Sequence, residues 1–248
     1  MSQEDLADTT SYKDKEYLLK RHLDVQLEKL KTKLIKMCSL VDEQMQLSYR
    51  TIEDRNPEWA KLVIERDAIV DKYDLKIEKY CQKMVALNQP VAMDLRQIMS
   101  ALNINSNLER IGDIAVNLVE NFLLINNHWD MFQKTKLPEM ISVAKDMFKN
   151  AIDAYINDNS RLAEKVLLSD KLLDSLNKEN HRILIEIMKQ SPEYVESGVV
   201  YLVLSRQIER GGDHATNIAE DVIFIHEAHI IRHNYEKLFF DEDEEELE

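Results

Sequence analysis

Apolar residues recur at helical spacing over nearly the whole chain, from about residue 16 to 236. The first predicted helix puts Leu23, Leu27, Leu30, Leu34, Met37 and Val41 on one face. It breaks at EDRNPEW, where Asn56 and Pro57 read as the N-cap and first residue of a second helix. That helix runs to about Leu87 and stops before Asn88-Gln89-Pro90; a third runs from near Val91 to about Ile125. The stretch NNHWDMFQKTKLP (126–138) has no clear period and ends in proline, so it reads as a boundary between halves.

The pattern then starts again. A fourth helix after Pro138 presents Ile141, Ala144, Phe148, Ala151 and Tyr155, and a fifth spans roughly 160–189. Gln190-Ser191-Pro192 interrupts it much as Asn88-Gln89-Pro90 interrupts the second, and a sixth covers about 193–235. The expected architecture is all-α: two tandem, pseudo-symmetric three-helix bundles made of six long antiparallel helices. The expected organisation is a flexible N-terminus (1–15), a first bundle (16–126), a second bundle (138–236) and an acidic disordered tail (237–248). Composition agrees: Gly and Pro number four each, about 3% of the chain against a usual ~12%.

The duplication is clearest in LERIGDIAVNLVENF (108–122) and IERGGDHATNIAEDV (208–222), which share Glu, Arg, Gly, Asp, Ala, Asn and Glu at matching places. At roughly 100° per residue, Glu109, Asp113, Asn117 and Glu120 fall within roughly 80° of one another. Leu108, Ile111, Ala115, Leu118 and Phe122 lie opposite. Glu209, Asp213, Asn217 and Glu220 stand in the same relation to Ile208, Ala215, Ile218 and Val222. The acids are therefore expected on the outer face of each bundle. The second helix carries another stripe, Asp67, Asp71, Asp74 and Glu78, on the side away from Ile69, Tyr73, Ile77 and Met84; its counterpart in the second half is Asp170, Asp174, Asn177 and His181.

Solvated surface is the ordinary reading of any one such stripe. Against it, a mid-helix Asp costs about half a kcal/mol and like charges at i,i+4 repel, yet both halves keep the DxxxD and ExxxD pairs on matching helices. Where two such stripes meet along a groove, four carboxylates form the donor set of a hard or borderline cation, or of a small carboxylate-bridged cluster. Gly112 and Gly212, each costing ~1 kcal/mol mid-helix, would let the DxxxD helix approach; packing without metal explains them equally well. Arg110 and Arg210 are expected in salt bridges. His226, His229 and His233 have a spacing that fits zinc, but also that of basic residues at a helix end.

Net charge is −14, half of it in the terminal run DEDEEELE, which argues against nucleic acid as a partner. Cys38 and Cys81 lack metal or disulfide spacing, no stretch reaches the ~20 apolar residues of a membrane span, and MSQEDLADTT is no signal peptide. These features predict a cytosolic protein with no direct membrane insertion. There is no phosphate-cradling Gly-rich loop, no GxSxG, and no ExxH of the ferritin-like di-iron bundles.

Two three-helix units, each with DxxxD on its second helix and E-R-x-G-D-x-A-x-N-x-x-E on its third, resemble the PhoU family of phosphate-specific transport system accessory proteins over about residues 16–236. The family pattern reads close to ERIGDHAxNIAE; this chain departs from it at Ile114, where His is common, and at Gly211, where Ile is common. The resemblance implies no enzyme but a cytoplasmic negative regulator of phosphate uptake and of the phosphate-starvation response. It would stand peripheral to the inner face of the membrane through its partners, commonly as a homodimer. Those partners would be the ATPase of a phosphate ABC transporter and a sensor histidine kinase. The resemblance also implies metal ligands at Asp67, Asp71, Glu109 and Asp113, and at Asp170, Asp174, Glu209 and Asp213, with Asp74, Asn117, Glu120, Asn217 and Glu220 as accessory groups. Oxygen donors admit Fe, Zn, Mn or Mg, divalent or trivalent, singly or as a multinuclear cluster. His181 and Asn177 would make the second site softer than the first. The alternatives from other classes are a carboxylate-bridged metalloenzyme, hydrolase or oxidase, and a plain acidic scaffold.

Overall fold

The structure, a computed structural model, describes the backbone of residues 3–125 and 127–227 and the side chains of 22–125 and 127–226. Within these residues seven α-helices follow one another: α1 (Gln3–Glu53), α2 (Pro57–Asn88), α3 (Ala92–Leu123), α4 (Met131–Lys134), α5 (Leu137–Ile156), α6 (Ser160–Gln190) and α7 (Val195–Glu227), with one 3-10 turn at Pro192–Tyr194. No strand occurs among them, so the all-α expectation holds.

The predicted breaks lie where capping chemistry puts them. Asn56 caps α2 by accepting a hydrogen bond from Glu58 N–H at 3.1 Å, with Pro57 at the first position. Asn159 does the same for α6, accepting from Leu162 N–H at 3.1 Å. Gln89 closes α2 in the left-handed region (φ 47°), just before Pro90. Two differences from the periodic reading stand out. α1 begins at Gln3 rather than near residue 16, in a stretch with no Gly or Pro to stop it. The aperiodic boundary contains α4, which buries Met131 and Phe132 within a single turn too short to show a period.

α1, α2 and α3 pack together, as do α5, α6 and α7, and α3 lies against α7 as closely as against its own partners. One apolar core therefore runs through both bundles, from Leu34 and Val63 through Leu108 and Ile218 to Leu167 and Leu184. The two departures from the family pattern face each other across this junction. A β-carbon on Gly211 would stand 4.0 Å from Ile114 Cγ2, with Met45 Cε and Tyr49 Oη each at 3.9 Å. The same seam carries polar pairs: Asn107 Oδ1 meets His214 Nδ1 at 2.9 Å and accepts from Asn217 Nδ2 at 3.1 Å, and Asn103 Nδ2 donates to Asp221 at 3.1 Å.

Candidate metal centres

The glycine of each motif sets how near the DxxxD helix can come. A β-carbon on Gly112 would lie 3.2 Å from Val70 Cγ1, 3.3 Å from Gln44 Oε1 and 3.5 Å from Asp67 Oδ1. On Gly212 it would collide with Leu173 Cδ2 and press on Met147. Val70 and Leu173 occupy the same place in the two repeats, as do Gln44 and Met147. The absence of a side chain lets α2 settle on α3, and α6 on α7, with their acids along one groove.

In α2 the buried face is Val63, Val70, Ile77, Cys81 and Met84. Ile69, expected to point inward, is 44% exposed; Val70 takes its place, which turns Asp67 and Asp74 onto the flank of the α2–α3 contact. The expectation that the acids face outward is corrected accordingly. Asp67, Asp74, Glu109 and Asp113 are half-buried, and Glu209 is only 7% exposed. Asp71 remains open to solvent. The reason is geometric: α3 and α7 each touch helices on several sides, so the edge of the polar stripe is covered.

Burial raises the carboxyl of Asp67 above its ordinary range, Gln44 opposes this, and Asp71, Asp113 and Glu120 add to it. Glu109 is raised by burial and then by Asp113, against Arg110, with Asp74 and Asp71 contributing. Carboxylates on α2 and α3 thus feel one another across the groove. Gln44 Nε2 donates to Asp67 Oδ1 at 3.1 Å and to Val63 O at 3.2 Å, while Asn105 Nδ2 donates to Asp74 Oδ1 at 2.6 Å. Arg110 donates to Asp113 Oδ2 at 3.1 Å and lies 3.4 Å from Glu109 Oε2, in the expected salt bridges.

The second groove repeats the plan with less relief. Asp170 is pushed up to about 6 by burial and then by Asp174, Asp213 and Glu220. Met147, standing where Gln44 stands, brings no amide to it. Glu209 is pushed up to about 7 by burial and Asp213, against Arg206, with Asp174 and Asp170 adding. Its Oε1 pairs with Arg206, and its Oε2 is buried without a hydrogen-bond partner. Asn177 accepts from Ser205 Oγ at 2.7 Å, the counterpart of the Asp74–Asn105 contact. His181 Nε2 is buried and likewise without a partner.

The accessory amides diverge. Asn117 donates back to Asp113 O at 2.9 Å, whereas Asn217 reaches across the bundle junction to Asn107. Among the described residues no three His, Cys, Asp or Glu side chains are gathered closely enough to hold a metal ion. Like charges spread, and Arg110 and Arg206 draw individual carboxylates aside. The carboxylate donors are nonetheless of the kind that suits a hard cation, and in the second groove Glu209 Oε2 is left buried without a hydrogen-bond partner. His226 stands 3.9 Å from Asp158, and His229 and His233 lie outside the described residues. Periodicity missed Gln44 and Arg206. A glutamine in the register of Leu34, Met37 and Val41 was the available signal for the first.

The PhoU domain profile matches residues 34–122 and 137–222, which include both acidic stripes of each half. The chain belongs to the PhoU family. Among its relatives, the phosphate-specific transport system accessory protein PhoU homolog 1 of Thermotoga maritima is 30% identical over 205 residues, covering 82% of this chain and 88% of that protein. The PhoU homolog of Borreliella burgdorferi is 33% identical over 214 residues, covering 84% and 96%. The crystal structure of PhoU from Pseudomonas aeruginosa superposes with a TM-score of 0.78 at 28% identity, covering 83% of this chain and 99% of that one. PhoU of Streptococcus pneumoniae, at 23% identity and a TM-score of 0.77, shares the fold. No helix among the described residues of this PhoU protein is long and apolar enough to cross a membrane.

Asp113→Ala and Asp213→Ala are expected to leave the chelator-treated protein as stable as wild type, within about 0.5 kcal/mol, or slightly more stable. Asp113 loses only an exposed pairing with Arg110 while relieving its neighbour Glu109, and at Asp213 burial and Asp174 act against Arg206 and Arg210, so little net stabilisation goes with either carboxylate. Thermal denaturation in the presence of chelator checks this, and a large fall in Tm for either variant would contradict the groove placement.

Proposed function

We propose that this protein is a cytoplasmic negative regulator of phosphate uptake and of the phosphate-starvation response. In this reading it works as a homodimeric adaptor between a phosphate ABC transporter's ATPase and a sensor histidine kinase, and each groove holds a divalent or trivalent cation. The observation that carries the metal part is the repeated meeting of two acidic stripes at a glycine contact, with Glu209 Oε2 left buried and unpartnered in one copy. Asp67, Asp71, Glu109 and Asp113 would hold the ion in the first groove, and Asp170, Asp174, Glu209 and Asp213 in the second. The ion would supply positive charge that relieves carboxylate repulsion and fixes α2 to α3 and α6 to α7. The regulatory part rests on the names of the relatives, which are accessory proteins of phosphate-specific transport. The hollow lined by Met131, Arg182, Ile183 and Tyr194 includes none of these carboxylates.

Two measurements test this. Elemental analysis of protein purified without chelator or an affinity-metal column should find stoichiometric metal; essentially none would leave only an acidic scaffold. A deletion strain grown in high phosphate should express phosphate-starvation genes, and full repression there would refute the regulatory role.

A further inference from the structure

The two grooves carry different resident charges. In the first repeat Ser106 stands one turn before Glu109 and is exposed; in the second the same place holds Arg206. Arg206 reaches down that turn and its Nη1 donates to Glu209 Oε1. Glu209 has a side-chain exposure of 10%, against 25% for Glu109. The first groove also has an arginine, but Arg110 divides itself between Asp113 at 3.1 Å and Glu109 at 3.4 Å. Arg210, in the place of Arg110, adds a further positive charge near Asp213. The second groove also has fewer acids, since Asn177 and His181 replace Asp74 and Glu78.

We propose that Arg206 is a built-in cation of the second groove, competing for Glu209 with any metal ion and ranking that groove below the first in affinity. The proposal rests on the metal reading above. The competition is physically direct: one carboxylate oxygen is held by a charge-assisted hydrogen bond while the other is buried and unpartnered. An ion entering the groove gains Glu209 fully only when the guanidinium leaves. Arg206 has a side-chain exposure of 56%, so it can swing into solvent without disturbing the core.

The test uses chelator-stripped full-length chain titrated with Mn2+ by calorimetry, with bound Mn2+ counted by electron paramagnetic resonance. Glu109→Ala/Asp113→Ala isolates the second groove, and Glu209→Ala/Asp213→Ala isolates the first. The first groove should bind Mn2+ more tightly. Arg206→Ser should tighten the second groove about tenfold, Arg206→Lys should recover little of this, and Ser106→Arg should weaken the first by a similar factor. If the second groove binds Mn2+ with an affinity that Arg206→Ser leaves unchanged or lowers, the role of Arg206 is overturned while the metal reading stands. If neither isolated groove binds Mn2+, both are overturned.

Discussion

Leu108→Asp is expected to yield no folded protein. Leu108 is fully buried on α3, facing away from the acids of its own motif, at the centre of the core shared by both bundles. A carboxylate there would be ionised at neutral pH only at a cost of several kcal/mol, and protonating it would still leave a polar group without partners. Total stability of a domain of ordinary size is about 5–15 kcal/mol, so this one change consumes a large share of it. Ile218→Asp, 1% exposed in the second motif, should behave alike. Leu108→Ala is the control: it loses apolar burial and opens a cavity, costing about 3 kcal/mol, and should still fold. Circular dichroism and urea unfolding separate the outcomes. A Leu108→Asp protein with a wild-type transition would mean that this face of the motif does not form the core.

That face was legible in the sequence because Leu108, Ala115 and Leu118 recur at the same helical spacing as Ile208, Ala215 and Ile218, and all six are buried. The helix breaks were legible for a similarly local reason, since Asn56-Pro57 and Gln190-Ser191-Pro192 act on the backbone next to them. The close approach at Gly112 and Gly212 was readable as a possibility, because glycine in a helix is unfavourable unless a neighbour needs the space. What periodicity did not reveal depends on three-dimensional context. Ile69 and Val70 are adjacent apolar residues, and which of them points inward is decided by where α1 and α3 sit. The covering of Glu209 depends on α6 and α7 packing side by side. The junction of α3 with α7 joins residues about a hundred positions apart, such as Asn107 with His214 and Asn217. The different tuning of the two grooves by Gln44 and Arg206 appears only when the repeats are compared in space, since neither residue belongs to the duplicated motif.

The burial of Glu209 gives the second large expected effect, a dependence of stability on pH that a solvated acidic stripe would not show. In the folded protein its carboxyl is pushed up to about 7, against 4.5 for an unperturbed group. Between these values the folded chain keeps a proton that the unfolded chain has released, so rising pH favours unfolding. The stabilising contribution is complete below about pH 4.5 and is lost as pH climbs through about 7. Arg206 limits the loss by pairing with the charged form; Asp170, Asp174 and Asp213 enlarge it. Glu209→Gln removes the ionisation while keeping the shape. In chelator the variant should match wild type near pH 4.5 and exceed it at pH 8 by roughly 2 kcal/mol, a value reduced from the full pKa difference because the guanidinium remains. Asp170, raised to about 6, gives wild type and variant alike a smaller decline at lower pH. Added Mn2+ should reverse the order at pH 8, because the ionised carboxylate that weakens the metal-free fold is the one that holds the ion, and binding to the folded state alone stabilises it. Urea unfolding from pH 4.5 to 8, with and without Mn2+, reads both effects. Parallel pH profiles for wild type and Glu209→Gln would show that Glu209 is hydrated after all, and that the strain assigned to this groove is not there for a cation to relieve.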